Sequence, residues 1–244
     1  MNRQEKTMNL LFDLDGTLTN PFQGITTCIA HALERVGRPS PAREELGWCI
    51  GPPLRNSFAK LLATDDVDLV EKALGFYRER FGTVGLFENK VYDGIPEALD
   101  ALQAMGHRLY LATSKPRVYA RRIMDHFELS PYFTAIHGAE LDGTRNDKTS
   151  LISHILEKES IAVSEAAMIG DRKYDMIGAG ENGVCGLGVL WGYGTRDELE
   201  SSGASAFIEN PCNLPAAFKK RNYAMGLSNK TRIHEFSSES LGSG

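Results

Sequence analysis

Cysteine is scarce in this 244-residue chain: there are four, Cys28, Cys49, Cys185 and Cys212, and no two form a C-x-x-C pair. That argues against a disulfide framework or a thiolate metal cluster, so the four are read as reduced thiols. The six histidines show no metal-ligand spacing, and no G-x-S-x-G elbow is present, which sets aside a serine hydrolase. No apolar window approaches the length of a membrane span, and Met1 to Leu10 carries Arg3, Glu5 and Lys6 in place of an apolar signal core. A cytoplasmic location without membrane association is therefore expected. A basic excess is also missing: 27 Lys and Arg face 32 Asp and Glu, for a net charge of −5. Such a chain is poorly suited to a nucleic-acid polymer or an anionic membrane. It leaves open a small anionic substrate held by one metal ion and a few local donors.

What is present is ordinary globular material, 42% hydrophobic and 24% charged, long enough for one large domain or a domain carrying a smaller insert. Asn9 to Asp13 is an apolar run that stops at a polar turn, as a buried strand does. From Pro21 the spacing becomes helical, first through Ile25, Cys28, Ile29, Ala32 and Leu33. After an interruption at Gly51-Pro-Pro53, helical spacing resumes through Leu54, Phe58, Leu61 and Leu62 and continues from Val67 to Phe81. Residues 19–85 thus read as an all-helical insert, neutral with eight Lys and Arg against eight Asp and Glu. After Leu86, strands at 108–113, 133–137, 166–170, 184–190 and 206–208 alternate with helices, the pattern of βαβ units on a parallel sheet. The expected fold class is α/β: a doubly wound, Rossmann-like parallel sheet, residues 1–18 and 86–225, with a helical cap, 19–85, inserted after the first strand. Residues 226–244, rich in Ser, Asn and Gly, read as a flexible tail.

Each prominent polar cluster follows the end of a strand, the edge where open α/β sheets bind ligands. Asp13 and Asp15 lie two apart, on one side of an extended backbone, and Gly16 allows a sharp turn. Thr113-Ser-Lys115 follows the second long strand and Lys148 opens the helix after the third. Asp171 and Asp175 lie four apart, on one face if a helix starts there. Carboxylates crowded in this way repel one another and raise each other's pKa values unless a cation sits among them. Oxygen ligands without His or Cys suit a hard ion, magnesium above all. Metal, lysine, hydroxyl and backbone amides together would cradle a phosphoryl group.

Asp13-x-Asp15-Gly-Thr17, Thr113 after an apolar strand, Lys148, and Gly170-Asp171-x3-Asp175 resemble, in order, the four motifs of haloacid-dehalogenase-superfamily phosphatases. The resemblance covers residues 9–220 and includes a helical cap after the first strand. It implies that Asp13 is the nucleophile, forming an aspartyl-phosphate, and that Asp15 protonates the leaving oxygen and later activates water. Thr113, Lys148 and the backbone N–H of Ser114 would hold phosphoryl oxygens. Asp13, the carbonyl of Asp15, and Asp171 would bind Mg2+, with Asp175 supporting them. The cap would act as a lid, and its break at Gly51-Pro-Pro-Leu-Arg55 makes Arg55 a candidate substrate contact; a plain inter-helix turn is the alternative. Gly51-Pro-Pro-Leu54, Leu86 to Tyr92, Leu141 to Arg145 and Trp191-Gly-Tyr-Gly194 look similar to the 5′-nucleotidase members of the phosphoglycolate-phosphatase-like branch. The expected activity is hydrolysis of nucleoside 5′-monophosphates or, as alternatives, of 2-phosphoglycolate, or a mutase outcome from the same residues. A receiver-like signalling domain is the remote alternative.

Overall fold

Asn9–Phe12 forms β1, in which Leu10, Leu11 and Phe12 are all fully buried. A central parallel strand is covered on both faces, so its sequence runs apolar without alternation. The structure, a computed structural model, describes residues 7–219 and 234–236. After β1 come β2 (Thr19–Asn20), the helices α1 (Phe22–Arg35), α2 (Leu54–Leu62) and α3 (Val67–Arg80), and β3 (Lys90–Val91). The chain continues through α4 (Ile95–Ala104), β4 (Arg108–Pro116), α5 (Arg117–His126), β5 (Ala135–Ala139), α6 (Lys148–Lys158) and β6 (Ala166–Gly170). It then forms α7 (Lys173–Glu181), β7 (Cys185–Val189), α8 (Arg196–Ser201), β8 (Ala206–Ile208), α9 (Leu214–Ala217) and β9 (His234–Phe236). Tertiary contacts divide it into two units, Thr19–Lys90 and the chain on either side of it.

The larger unit is a parallel sheet in the order β5-β4-β1-β6-β7-β8-β9. Phe12 lies level with Leu111 on one side and Ile169 on the other, and Gly138 is level with Thr113. The chain leaves β1 toward β4 and β5, then returns to β6 on β1's other side. Strand order therefore reverses beside β1, and the ends of β1, β4 and β6 open on the resulting crevice.

Packing beneath that crevice comes from α6. Leu151, Ile152 and Ile155 join Leu11, Tyr110, Ala112 and Met168 in one buried cluster. Lys148 precedes them at the same helical spacing and is buried as well. A lysine thus occupies the first position of an apolar stripe.

The smaller unit is helical, with its own core of Ile25, Cys28, Ile29, Phe58, Val70, Leu74 and Tyr77. Phe58 and Tyr77 meet edge to face at 6.1 Å, and Tyr77 stacks on Phe81 at 5.2 Å. The change of texture at Leu86 does not mark the return to the sheet; the unit runs on to Lys90. The reason is a fork: Arg80 donates to both carboxylate oxygens of Glu88, at 2.6 and 2.8 Å, and holds that carboxyl below its usual range. Gly24 N–H donates to Glu88 O at 2.8 Å and Asn89 Nδ2 to Thr19 Oγ1 at 3.1 Å, closing the same segment. The expectation for 226–244 also needs correction at three residues. His234–Phe236 pairs in parallel with Ala206–Ile208, because the edge of β8 offers unpaired backbone groups; the rest of that stretch lies outside the described residues.

Gly24, inside α1, tests the packing of the helical unit. Alanine would ordinarily favour a helix interior by about 1 kcal/mol over glycine. Here a Cβ would lie 2.0 Å from the carbonyl oxygen of Gly85. Gly24→Ala is expected to lower stability by roughly 1–3 kcal/mol in urea unfolding. Unchanged or increased stability would show that the two segments separate without cost.

Candidate active site

The strand ends bring Asp13, Thr113 and Asp171 to one edge, and α6 and α7 add Lys148 and Asp175. Asp13 N–H donates to Ile169 O at 2.9 Å, which continues the sheet pairing one residue past β1 and fixes the aspartate beside β6. Carboxylate oxygens of Asp13, Asp171 and Asp175 all lie within 4.8 Å of one another, and all three residues are buried. Lys148 Nζ is 2.8 Å from Asp13 Oδ1 and 2.7 Å from Asp175 Oδ1, in close ion pairs, and it donates to Ala112 O at 2.6 Å. Its backbone sits close to α7 because position 178 is glycine: a Cβ there would lie 2.7 Å from the Lys148 Cβ.

Asp171 and Asp175 do not share a helical face. α7 starts at Lys173, and Asp171 lies in the turn before it. Asp175 stands in the first turn of the helix, and its Oδ2 accepts from the N–H of Arg172 at 3.1 Å. The Asp171 side chain is gripped elsewhere. Tyr193 N–H donates to its Oδ2 at 2.7 Å, and Thr17 Oγ1 donates to its Oδ1 at 3.4 Å.

Asp15 is paired with a lysine to which the sequence motifs assign no role. Lys115 Nζ lies 2.8 Å from Asp15 Oδ2, with both side chains largely buried. The signal was available: in an extended strand, residues 113 and 115 point the same way, so a lysine two past Thr113 reaches the same edge. Thr113 Oγ1 accepts from Lys115 N–H at 3.3 Å. Ser114 stands between them, half-buried, where the β4–β5 register shifts between Thr113 and Pro116. Arg55, the remaining candidate, belongs to the helical unit, where its guanidinium is ion-paired with Glu71.

The electrostatics follow from burial. Asp171 is fully inaccessible, and burial first, then the Asp175 and Asp13 charges, push its carboxyl well above the usual value. Burial raises Asp175 to about 6, although Lys148 pulls against it. Burial also raises Asp15, with Lys115 opposing. It works against the Lys148 ammonium, but Asp13 and Asp175 outweigh it and hold that lysine above its ordinary value. Four carboxylates against two lysines leave two formal negative charges in a buried space. A divalent cation fits that deficit, and an all-oxygen donor set fits a hard one such as magnesium. Asp13, Asp171 and Asp175 are carboxylates that could hold or support one.

Residues 10–189 match the family described as haloacid dehalogenase-like hydrolase. The chain belongs to that family. The hydrolase is 50% identical over 193 residues to the 5′-nucleotidase of Pseudomonas aeruginosa, a match covering 79% of this chain and 87% of that one. It is 35% identical over 198 residues to the tyrosine-protein kinase PtkA of Mycobacterium tuberculosis, covering 81% and 67%. Among solved structures, a predicted phosphatase from Clostridium acetobutylicum superposes with a TM-score of 0.82 at 39% identity, covering 86% of this chain and 97% of that one. Phosphoric monoester hydrolase is the enzyme class that this membership and these relatives support. The family's α/β fold, with a mostly parallel sheet flanked by helices, is the fold described above.

The repulsion within the cluster gives a signed prediction. Asp171→Asn removes one buried charge and keeps the shape of the side chain. In EDTA the variant of this hydrolase is expected to melt above the parent, and added Mg2+ to raise its Tm less than the parent's. A lower Tm in EDTA would mean that the Asp171 charge is not a cost to the metal-free fold.

Proposed function

We propose that the hydrolase is a magnesium-dependent phosphomonoesterase acting on nucleoside 5′-monophosphates through an aspartyl-phosphate. The carrying observation is the buried group of Asp13, Asp171 and Asp175 around the Lys148 ammonium. A carboxylate held beside fixed positive charge at a sheet edge supports Asp13 as the nucleophile. The choice of nucleotide draws on the 50% identity to a 5′-nucleotidase.

In this reading, Asp13 attacks the phosphorus in line with the ester oxygen. The phosphorus–oxygen bond breaks, and Asp15 gives that oxygen its proton, so that the nucleoside leaves neutral. Burial raises the Asp15 carboxyl, which favours the protonated form this step needs. Asp15 then takes a proton from water as the water oxygen attacks the aspartyl-phosphate, releasing inorganic phosphate and restoring Asp13. Lys148, the Thr113 hydroxyl and the Ser114 N–H hold the phosphoryl oxygens through both transfers. Magnesium, when bound, offsets the negative charge shared by the phosphoryl group and its carboxylates. Four cysteines without a disulfide among them suit a reducing compartment, and a cytoplasmic setting completes the proposal. No helix among the described residues is long and apolar enough to cross a membrane.

Phosphate release from a panel of nucleoside 5′-monophosphates and 2-phosphoglycolate, with Mg2+ or with EDTA, tests the substrate class. Nucleotides are expected to turn over faster, and EDTA to abolish release. Faster turnover of phosphoglycolate than of every nucleotide would overturn the nucleotide assignment. Asp13→Asn is expected to cost on the order of a thousandfold or more in kcat while the circular dichroism spectrum stays that of the parent. Activity within tenfold of the parent would remove Asp13 as the nucleophile.

A further inference from the structure

The segment Trp191–Gly194 follows β7, and the chemistry proposed above gives it no part. Its contacts converge on one carboxylate. Tyr193 N–H donates to Asp171 Oδ2 at 2.7 Å, while Trp191 Nε1 donates to the carbonyl oxygen of Thr17 at 3.0 Å. Thr17 in turn donates its hydroxyl to Asp171 Oδ1 at 3.4 Å. The Tyr193 hydroxyl meets that of Tyr92, whose N–H donates to Leu18 O at 3.1 Å. Two loops, one after β1 and one after β7, are thus tied together beside Asp171.

Glycines make this closeness possible. A Cβ on Gly192 would lie 2.3 Å from the Asp171 Cβ and 2.5 Å from Gly16 O. A Cβ on Gly194 would lie 2.0 Å from Asp171 O. Gly16, with φ of +86°, approaches from the other loop: its Cβ would lie 2.2 Å from Asp171 Oδ2. Each Asp171 oxygen accepts one hydrogen bond from the protein and keeps lone-pair capacity for a cation. Asp13 and Asp175 repel this carboxylate, so something must hold it in place.

We propose that Trp191–Gly194 is a clamp that fixes the orientation of the Asp171 carboxylate and so sets the affinity of the site for a divalent cation. Trp191 and Tyr193 are positioning residues, acting through Thr17 and Asp171. The proposal rests on the reading of the acidic cluster as a magnesium site. Outer partners of metal ligands typically contribute 10–100-fold to metal affinity.

Isothermal titration of the full chain with Mg2+ tests it. Trp191→Phe keeps an aromatic ring and deletes the donor; Gly192→Ala wedges the clamp open. Both are expected to weaken Mg2+ binding about tenfold or more, with Trp48→Phe, in the helical unit, binding like the parent. In activity assays the Mg2+ concentration for half-activation is expected to rise for Trp191→Phe, with substrate KM at saturating Mg2+ unchanged. If Gly192→Ala does not fold, Trp191→Phe decides alone. Parent-like Mg2+ affinity in Trp191→Phe would overturn the clamp while leaving the metal site standing. A parent chain that binds no Mg2+ would overturn the metal reading and the clamp with it.

Discussion

The arrangement depends on mutual repulsion among carboxylates that have nowhere to be solvated. Asp13, Asp171 and Asp175 come from three different segments, and each buried anion lacks the water that would ordinarily stabilise it. Lys148 is the main internal answer: one ammonium, 2.8 and 2.7 Å from two of the three, anchored by a bond to Ala112 O. Remove that cation and the strand ends and helix starts around it would hold uncompensated charge, the most expensive state a protein interior offers. The packing of α6 against β1, β4 and β6 therefore has an electrostatic task as well as a hydrophobic one.

Much of this is legible in the sequence, for a physical reason. Strands buried on both faces show as uninterrupted apolar runs, so β1 and β6 and the acids following them stand out. Lys148 is also legible, once it is noticed that Lys148, Leu151, Ile152 and Ile155 share one stripe and that a charge has no cause to occupy it without a partner. The 171/175 pair is less legible. Spacing of four suggests a common helical face, but the turn at Arg172 delays the helix to Lys173, and backbone bonds place the two carboxylates instead.

The missed contacts share a different cause. Lys115 meets Asp15, and Tyr193 meets Asp171, across loops whose paths no periodicity encodes. Half of the second pairing uses a backbone N–H, which carries no sequence signature. Only the glycines on either side hint at it, through what they omit. The limit of the helical unit has a related cause: Leu86 to Lys90 look like a change of texture, while the Arg80–Glu88 fork keeps them with the helices.

The chain enters the helical unit at Thr19 and leaves it at Lys90, and the short strands β2 and β3 pair with one another at that crossing. Leu18 and Tyr92, on the sheet side, are a single hydrogen bond apart. Seventy-odd residues thus enter and leave through one doorway, held by the β2–β3 pair and the Leu18–Tyr92 bond. Every carboxylate of the acidic cluster, and both lysines, lie outside it. A lineage could lengthen, shorten or exchange what lies beyond that doorway without disturbing the charge balance beside β1. The groups that carry the charge are therefore encoded apart from the helical unit, on the chain to either side of it.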